Sequence, residues 1–308
     1  DIEDLEGVIS AAVDLVSKGE RIEKLTGNIT VNELRYKEAG SAPVRIRRAR
    51  VELSPEATRV QELDVQVGQS DLQVNGVVSP LTVILVGDGP VTASAWLKSR
   101  HLRVEDFLAP EDGATAADAE PFLFPDDLDA NFALDVAKLT YGDLVLDNFK
   151  GKGRLKNRKL ALDGVRADAL GGSMKLDGDI VTPPKGPPTF DITYGVDRAR
   201  FSEAFEALHT MQVYVPIARY LDGRFSADFR ASGILDESLA PRLESIDASG
   251  LAAALQSKLT SDFAPLAALN QAIPTIPKPL DIEGVRARFE IEDGTLKLRP
   301  TTVQARGI

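Results

Sequence analysis

Short runs of alternating apolar and polar residues recur along nearly the whole chain, and this periodicity constrains the fold more than any other feature. Apolar side chains at every second position are typical of a β-strand with one buried face. Asp-Gly pairs at 88–89, 163–164, 177–178, 222–223 and 293–294 predict tight hairpin turns between strands. The alternating runs cover 63–67, 72–74, 91–97, 132–136, 160–162, 190–196, 225–229 and 285–291.

The pattern predicts an α+β fold that is mostly antiparallel β, with a large twisted sheet and a few amphipathic helices. One helix is predicted over 2–18, where apolar residues form a stripe at helical spacing. Two more are predicted near 201–211 and 251–273, the latter from leucines at spacings of about four residues. We therefore expect an N-terminal helix plus a β module at 1–108, an acidic, Ala- and Pro-rich linker or mobile loop at 109–130, and a β module with helices at 131–308.

The composition is that of a folded protein, with 43% hydrophobic residues, and it argues against a nucleic-acid partner. The formal net charge is -11 over 308 residues, whereas binding to phosphates needs a concentrated basic surface. One basic cluster stands at Arg45, Arg47, Arg48 and Arg50, on an alternating segment. It predicts the solvated face of a strand, and contact with lipid headgroups or an acidic partner is the alternative.

The chain contains no cysteine, which excludes disulfides, thiolate metal sites and cysteine nucleophiles. It begins at Asp1 without a signal sequence, and it has no apolar stretch approaching the roughly 20 residues needed to cross a bilayer. We expect the chain to be a piece of a longer protein, with any membrane anchor outside it.

Two polar motifs resemble catalytic elements, but their context favours structural roles. Asp126, Asp127 and Asp129 are close enough in sequence to form an acid–base pair, yet they lie beside Pro125, where a solvated turn is expected. The segment 151–153, Gly-Lys-Gly, has the first half of a phosphate-binding loop. It leads into another strand rather than a helix N-terminus, so a phosphate site is not expected.

The two histidines, His101 and His209, lie far apart in sequence and have no surrounding acidic motif, which makes them weak candidates for a metal site or a triad. We therefore predict a protein that is not an enzyme and needs neither a cofactor nor a metal.

Trp96 lies at a position of its strand where the alternation predicts a polar, outward-facing residue. This position fits either a strand covered on both faces or an aromatic side chain exposed at an interface.

Several segments resemble the C-terminal part of the AsmA-like family of envelope proteins from two-membrane bacteria. The resemblance covers roughly two thirds of the chain, and its motifs are degenerate. The order is a strand, a Gly-x-Leu-x-Leu type strand, a Leu-x-Leu-Asp-Gly turn and a Leu-Gly-Gly-x-Met corner. It is found in the segments 70–108 and 131–178, with further support from 221–225, 231–233, the segment from Leu251 and 289–296.

The resemblance implies a periplasmic protein, tethered to a membrane, whose curved β-sheet forms a long apolar groove for phospholipid acyl chains. Its expected role is envelope biogenesis through lipid binding or transfer between membranes. A sheet with one apolar and one charged face can shield hydrocarbon from water. Each methylene removed from water contributes about 0.8 kcal/mol of favourable free energy. The lipid-binding residues that we predict, on a common interior face, are Leu134, Val136, Leu144, Leu146, Leu160 and Leu162.

The same alternation is also expected if the strands bury their inner faces against one another and against the helices. The alternative function is then a non-enzymatic, β-rich scaffold that binds other envelope proteins.

Overall fold

The structure is a computed structural model, and it is built almost entirely of β-strands. It describes residues 2–18, 21–38, 42–54, 56–79, 90–107, 123–236, 239–260, 262–273, 275, 279–282, 284–292 and 294–302. Side chains are described for most of these residues, and residues 2–5, 17–18, 21–24, 38, 269, 272 and 300–302 are described by their backbone alone.

The described residues form 17 strands and three α-helices. The strands are β1 (Ile2–Lys18), β2 (Arg21–Glu38), β3 (Val44–Leu53), β4 (Thr58–Val67), β5 (Ser70–Ser79), β6 (Val91–Ser99), β7 (Leu102–Arg103), β8 (Leu128–Tyr141), β9 (Leu144–Lys156), β10 (Lys159–Ala169), β11 (Gly172–Val181), β12 (Thr189–Arg200), β13 (Leu221–Ile234), β14 (Asp247–Leu259), β15 (Leu280–Ile282), β16 (Arg286–Glu292) and β17 (Thr295–Thr302). The helices are α1 (Phe201–Ala207), α2 (His209–Tyr214) and α3 (Ala264–Ala272), and short 3-10 helices span Val104–Phe107, Pro216–Tyr220 and Leu243–Ser245.

The chain divides into two compact units. Unit 1 comprises 1–141, 147–163 and 180–187, and unit 2 comprises 142–146, 164–179 and 188–308. Strands β9, β10 and β11 therefore have residues in both units. The prediction of an α+β, mostly antiparallel β fold with few helices is confirmed, whereas the groove stays a prediction.

In unit 1, strands β1 to β6 pair in sequence order, each antiparallel to the next. Strand β6 then pairs in parallel with β8, as does the short β7. The parallel step is possible because a long connection separates β6 from β8, whereas a two-residue turn can only join antiparallel strands.

One row of apolar residues runs across the strands of unit 1. The pairing places Val31 opposite Ala49, Ala49 opposite Leu63, and Leu63 opposite Val74. It continues through Leu97 to Leu134. Val31 and Ala49 are buried, and because residues opposite one another point to the same face, the row forms the apolar face of this sheet.

In unit 2, strands β12, β13, β14, β16 and β17 pair antiparallel in that order, and β15 pairs with the last residues of β14. Alternation along these strands separates a buried face from a charged one. In β13, for example, Ala227 and Ala231 are buried, whereas Asp228 and Arg230 are exposed. Period-two patterning is thus realised as predicted.

The predicted helix over 2–18 is wrong, because this segment is strand β1, paired with β2 along nearly its full length. Its apolar residues satisfy a period of two as well as one of 3.6, since Ile9, Ala11, Val13 and Leu15 alternate with other residues. The segment is also rich in β-branched side chains, which favour strands.

The helix predicted near 251–273 is correct only in its second part. Strand β14 ends at Leu259, and α3 occupies Ala264–Ala272. The alanines at 252–254 favour a helix, but pairing with β13 on one side and β16 on the other overrides that propensity. The helix predicted near 201–211 is confirmed as α1 and α2, which meet at Leu208.

The three Asp-Gly pairs that the structure describes in full do not form hairpin turns, and of the pair at 293–294 only Gly294 is described. Gly294, with φ of 68°, joins β16 to β17, whereas the pairs at 163–164, 177–178 and 222–223 lie inside strands. Gly164 has φ of 59° within β10, and its N–H donates to the Asp177 carboxylate at 2.6 Å. The pair at 88–89 lies outside the described residues, as does Asp293.

Most of the predicted linker at 109–130 also lies outside the described residues. Residues 123–127 are irregular, and β8 begins at Leu128, within the range predicted for the linker. Phe124 is held in place because its N–H donates to the Thr182 hydroxyl and its carbonyl accepts from Arg158.

Candidate functional site: an apolar cavity

An apolar cavity of about 450 Å³ lies in unit 2, against the apolar face of its sheet. This volume falls within the range of natural small-ligand sites. None of the 30 residues that line it carries a charge, and the polar ones are Tyr194, Thr210 and Tyr214. The strand residues in its wall are Phe190, Ile192, Tyr194, Val196, Leu221, Phe225, Ala227, Phe229, Ala231, Ala248, Ala252, Ala253, Ala254, Ile282, Ala287, Phe289, Ile291, Leu296 and Leu298.

Aromatic side chains form one row of this wall. Tyr194 lies opposite Phe229 with ring centroids 5.3 Å apart, and Phe229 lies 5.7 Å from Phe289 in an edge-to-face contact. Gly250 pairs with both phenylalanines and separates them on β14. A Cβ atom at Gly250 would lie 2.4 Å from that of Phe229, so glycine at this position lets the two rings meet across the strand.

The neighbouring row of the wall consists of small side chains. Val196 pairs with Ala227, Ala227 with Ala252, and Ala252 with Ala287. Three alanines in register on adjacent strands leave space that larger side chains would fill. The cavity therefore follows from the choice of alanine at these positions between the aromatic row and the helical segment.

The helical segment 201–220 covers part of the cavity. Phe201 on α1 packs against Phe225 with ring centroids 4.8 Å apart, and Met211 and Tyr214 on α2 line the cavity. Ala204 and Ala218 are fully buried, which allows the helical turns to pack closely on the strands. Leu208, Val215 and Ile217 complete this side.

The tyrosine hydroxyls at the cavity have partners within the protein. The Tyr194 hydroxyl lies 3.5 Å from the Met174 sulfur, and the Tyr214 hydroxyl donates to the Leu243 carbonyl. Burial of the ring raises the pKa of Tyr194 to about 12. Burial is also the larger cause of the raised pKa of Tyr214, and the negative charge of the nearby Glu244 is the smaller one. The cavity thus presents hydrocarbon and neutral hydroxyls, and it suits an uncharged, aliphatic group.

None of the six predicted lipid-binding residues lines this cavity. Leu134, Val136, Leu160 and Leu162 belong to unit 1, whereas Leu144 and Leu146 belong to unit 2. Val136 and Leu146 are buried and the other four are half-buried. Leu134 lies on the apolar row of unit 1. The prediction that all six residues face a common interior stays a prediction.

The residues that do line the cavity carry a sequence signal. The runs 190–196, 225–229 and 285–291 alternate strictly, and the structure brings all three to one wall. Sequence reasoning identified these faces but did not assign them to the site, because alternation alone does not reveal which strands face one another. The sequence predicted a helix near 201–211, but no sequence pattern indicated that residues 201–220 would cover a cavity.

Two of the three acidic residues considered for catalysis, Asp126 and Asp129, are engaged in ion pairs. Asp129 accepts hydrogen bonds from Arg154 and Lys156, which hold its pKa well below the usual range. The Arg158 guanidinium, 2.8 Å from Asp126, likewise lowers the pKa of that carboxyl. Both carboxyls are therefore ionised partners of cations rather than an acid–base pair.

The phosphate-loop-like segment and the two histidines are found in positions that do not form a catalytic or metal site. The Gly-Lys-Gly segment 151–153 lies inside β9. His101 lies in unit 1, where its backbone N–H donates to Asp71, and His209 begins α2 in unit 2. Within the described part of the chain, no group of His, Asp and Glu residues is arranged to hold a metal ion. Trp96 on β6 is 39% exposed, which agrees with an exposed aromatic side chain rather than with a strand covered on both faces.

The four arginines of β3 are paired with acids on the adjacent strands. Arg45 contacts Glu33 on β2, and Arg47 contacts Asp64 on β4. Arg48 and Arg50 both contact Glu62. This arrangement agrees with the predicted solvated face of a strand.

Comparison with family models, curated proteins and solved structures gives no significant match for this chain. Among the residues that the structure describes, no helix is long and apolar enough to span a bilayer. The fold and the cavity together define a β-rich protein with an apolar cavity in unit 2.

Proposed function

We propose that the protein binds the acyl chain of a phospholipid, or of another acyl lipid, in the cavity of unit 2. The observation that carries this proposal is the cavity wall, which has 30 lining residues and no charge among them. An acyl chain gains about 0.8 kcal/mol for each methylene removed from water, so a short stretch of chain is enough for useful affinity. The headgroup stays outside, where charged groups remain hydrated.

In the wider proposal, the protein acts in the periplasm in envelope biogenesis, tethered to a membrane by a segment outside this chain, and it carries lipid between membranes. This part rests on the resemblance to AsmA-like proteins together with the apolar faces of both units. Transfer would be passive, because exchange of a lipid between a membrane and an apolar cavity requires no cofactor. The six predicted residues, from Leu134 to Leu162, stay proposed as further contacts with acyl chains on the apolar faces of their own units.

A cavity-filling substitution tests the binding site. In Ala252→Phe, the new ring occupies the row of small side chains, and we expect crosslinking to a phospholipid with a photoreactive acyl chain to fall at least about tenfold, a loss of about 1.4 kcal/mol. Ala264→Phe is the matched control, since Ala264 is exposed on α3 and does not line the cavity.

Circular dichroism and thermal melting first establish that both variants fold like the wild type. Equal crosslinking of the wild type and the folded Ala252→Phe variant would contradict binding in this cavity. Absence of crosslinking in the wild type would contradict lipid binding altogether and would favour the scaffold function.

A further inference from the structure

Unit 1 presents the only tryptophan of the chain on the exposed side of strand β6. Exposed and half-buried residues alternate along β6, so Trp96 projects to the same side as Ser94 and Lys98. With 39% of its surface accessible, Trp96 offers a ligand a flat apolar ring face and an N–H group at the edge of the ring. The ring is therefore accessible to a ligand that has an apolar face of its own.

The neighbours of Trp96 across the sheet are small or polar. Asn75 on β5 lies opposite Trp96 on one side, and Ala133 on β8 lies opposite it on the other. Two residues earlier on β6, Ser94 lies opposite Asn131. Residues that oppose one another project to the same face of a sheet. Alanine and serine are too small to cover the indole ring, so these three adjacent strands give an even surface beside it.

An open groove of about 430 Å³ adjoins Trp96. Trp96 lies at its edge, because the neighbouring Ala95 and the cross-strand partner Ala133 both line the groove. All of the lining residues belong to unit 1, and the volume lies in the range of natural small-ligand sites. The small side chains that line the groove are Ser94, Ala95, Ala133 and Ala161.

The polar groups of the groove match a ligand that carries hydroxyl groups and no net charge. Lys152 donates hydrogen bonds, Asp163 accepts them, and the Asn131 carboxamide does both. All three residues are exposed, so the hydroxyls of a ligand can replace the water bound to them. Lys152 and Asp163 have opposite charges, and the remaining cation of the groove, Arg154, is bonded to Asp129 at 2.8 Å. The lining therefore favours neither an anion nor a cation.

We propose that Trp96 and this groove form a binding site for a neutral saccharide of β-1,4-linked pyranose rings. The C–H groups on one side of such a ring form an apolar face that packs on an aromatic ring, whereas the hydroxyls project from the edge. The apolar face lies on Trp96, and the edge hydroxyls bond to Asn131 and Lys152. A β-1,4 linkage keeps successive rings extended, which suits the even surface of adjacent strands better than the bent chain of an α-1,4 linkage.

The saccharide site uses three sequence features that the lipid cavity leaves unused. Trp96 is the aromatic residue at an outward-facing position, Lys152 is the lysine of the Gly-Lys-Gly segment, and Asp163 belongs to an Asp-Gly pair inside β10. The groove belongs to unit 1 and the lipid cavity to unit 2. Saccharide binding can therefore be measured without lipid, and its failure would leave the proposal for the cavity untouched.

Tryptophan fluorescence tests the site directly, because the emission of a single tryptophan reports on this surface alone. We expect cellotriose to shift the emission of the wild type to shorter wavelength, since the sugar displaces water from the indole ring. The titration should saturate with a dissociation constant of about 1 mM or below. Maltotriose has the same composition but α-1,4 linkages, and it should bind at least about tenfold more weakly.

Two variants that keep the tryptophan test the groove. Ala133→Leu places a larger side chain beside the ring, and it should raise the dissociation constant for cellotriose at least about tenfold. Asn131→Ala removes one exposed carboxamide with little risk to folding, and it should weaken binding at least about threefold. Ala137→Leu is the matched control, because Ala137 is exposed on the same strand and does not line the groove.

Circular dichroism and thermal melting establish that each variant folds like the wild type. Emission that cellotriose leaves unchanged at about ten times the expected dissociation constant would overturn the proposal. Equal affinity of the wild type and the folded Asn131→Ala variant would also overturn it, as would equal affinity for maltotriose. A shift that phospholipid vesicles produce and cellotriose does not would make Trp96 a lipid contact instead.

Discussion

Single residues set the shape of the cavity wall. Gly250 permits contact between two phenylalanines, and three alanines in register leave the space beside them. The strict alternation of the runs at 190–196 and 285–291 predicted which residues share a face. It could not predict that these runs lie close together, because strand pairing depends on contacts between residues distant in sequence.

Turn chemistry was the least predictable feature at the residue scale. Asp-Gly pairs favour hairpin turns, yet three of the described pairs lie inside strands. The turns after β9 and β10 instead use Asn157-Arg158 and Leu170-Gly171, all four with positive φ of 52–67°. Arginine and leucine rarely adopt this conformation, so the sequence gives little sign of these turns.

Tyr194 predicts a dependence of stability on alkaline pH. Its pKa is about 12 in the folded protein and about 10 when unfolded, so its contribution is complete below about pH 10 and is lost as pH rises towards 12. Between about pH 8 and about pH 11, the wild type should lose about 1 kcal/mol more stability than Tyr194→Phe, which cannot ionise. Urea unfolding at both pH values measures this difference, and equal losses would show that the hydroxyl ionises freely.

At the scale of elements, β1 shows why periodicity can mislead. A segment whose apolar residues lie on both faces fits a helix stripe and a strand equally well, and only the partner decides between them. Strand β2 supplies that partner. Strand β14 differs, because its local sequence favours a helix and pairing on both sides outweighs this preference.

The packing of β8 on β9 gives a test at this scale. Gly153 lies beneath the Phe132 ring, and a Cβ atom there would lie 2.2 Å from Cζ of that ring. Gly153→Ala should therefore displace the ring and lower the free energy of unfolding by about 1 kcal/mol.

A double-mutant cycle isolates the cause of this loss. In the Phe132→Ala background, Gly153→Ala should cost less than about 0.5 kcal/mol, since the clash is gone. An equal cost in both backgrounds, measured by urea unfolding, would mean that strain in the β9 backbone, rather than the ring, disfavours alanine.

At the scale of the whole molecule, the sequence predicted the fold class, because period-two patterning extends through most of the chain. It did not predict the division into units, since β9, β10 and β11 each have residues in both and no composition change marks that division. The predicted lipid-binding residues lie on β8, β9 and β10, whereas the strand residues of the cavity lie on β12 to β17. Both sets alternate in the same way, so the sequence pattern does not distinguish them.

The central claim is that this protein holds an acyl lipid in the cavity of unit 2. The most direct measurement is organic extraction of the protein purified from a two-membrane bacterium, followed by lipid mass spectrometry. We predict that phospholipid accompanies the wild type and the Ala264→Phe control, and that it is strongly reduced in folded Ala252→Phe. Wild-type protein without acyl lipid, or undiminished lipid in Ala252→Phe, would contradict the claim.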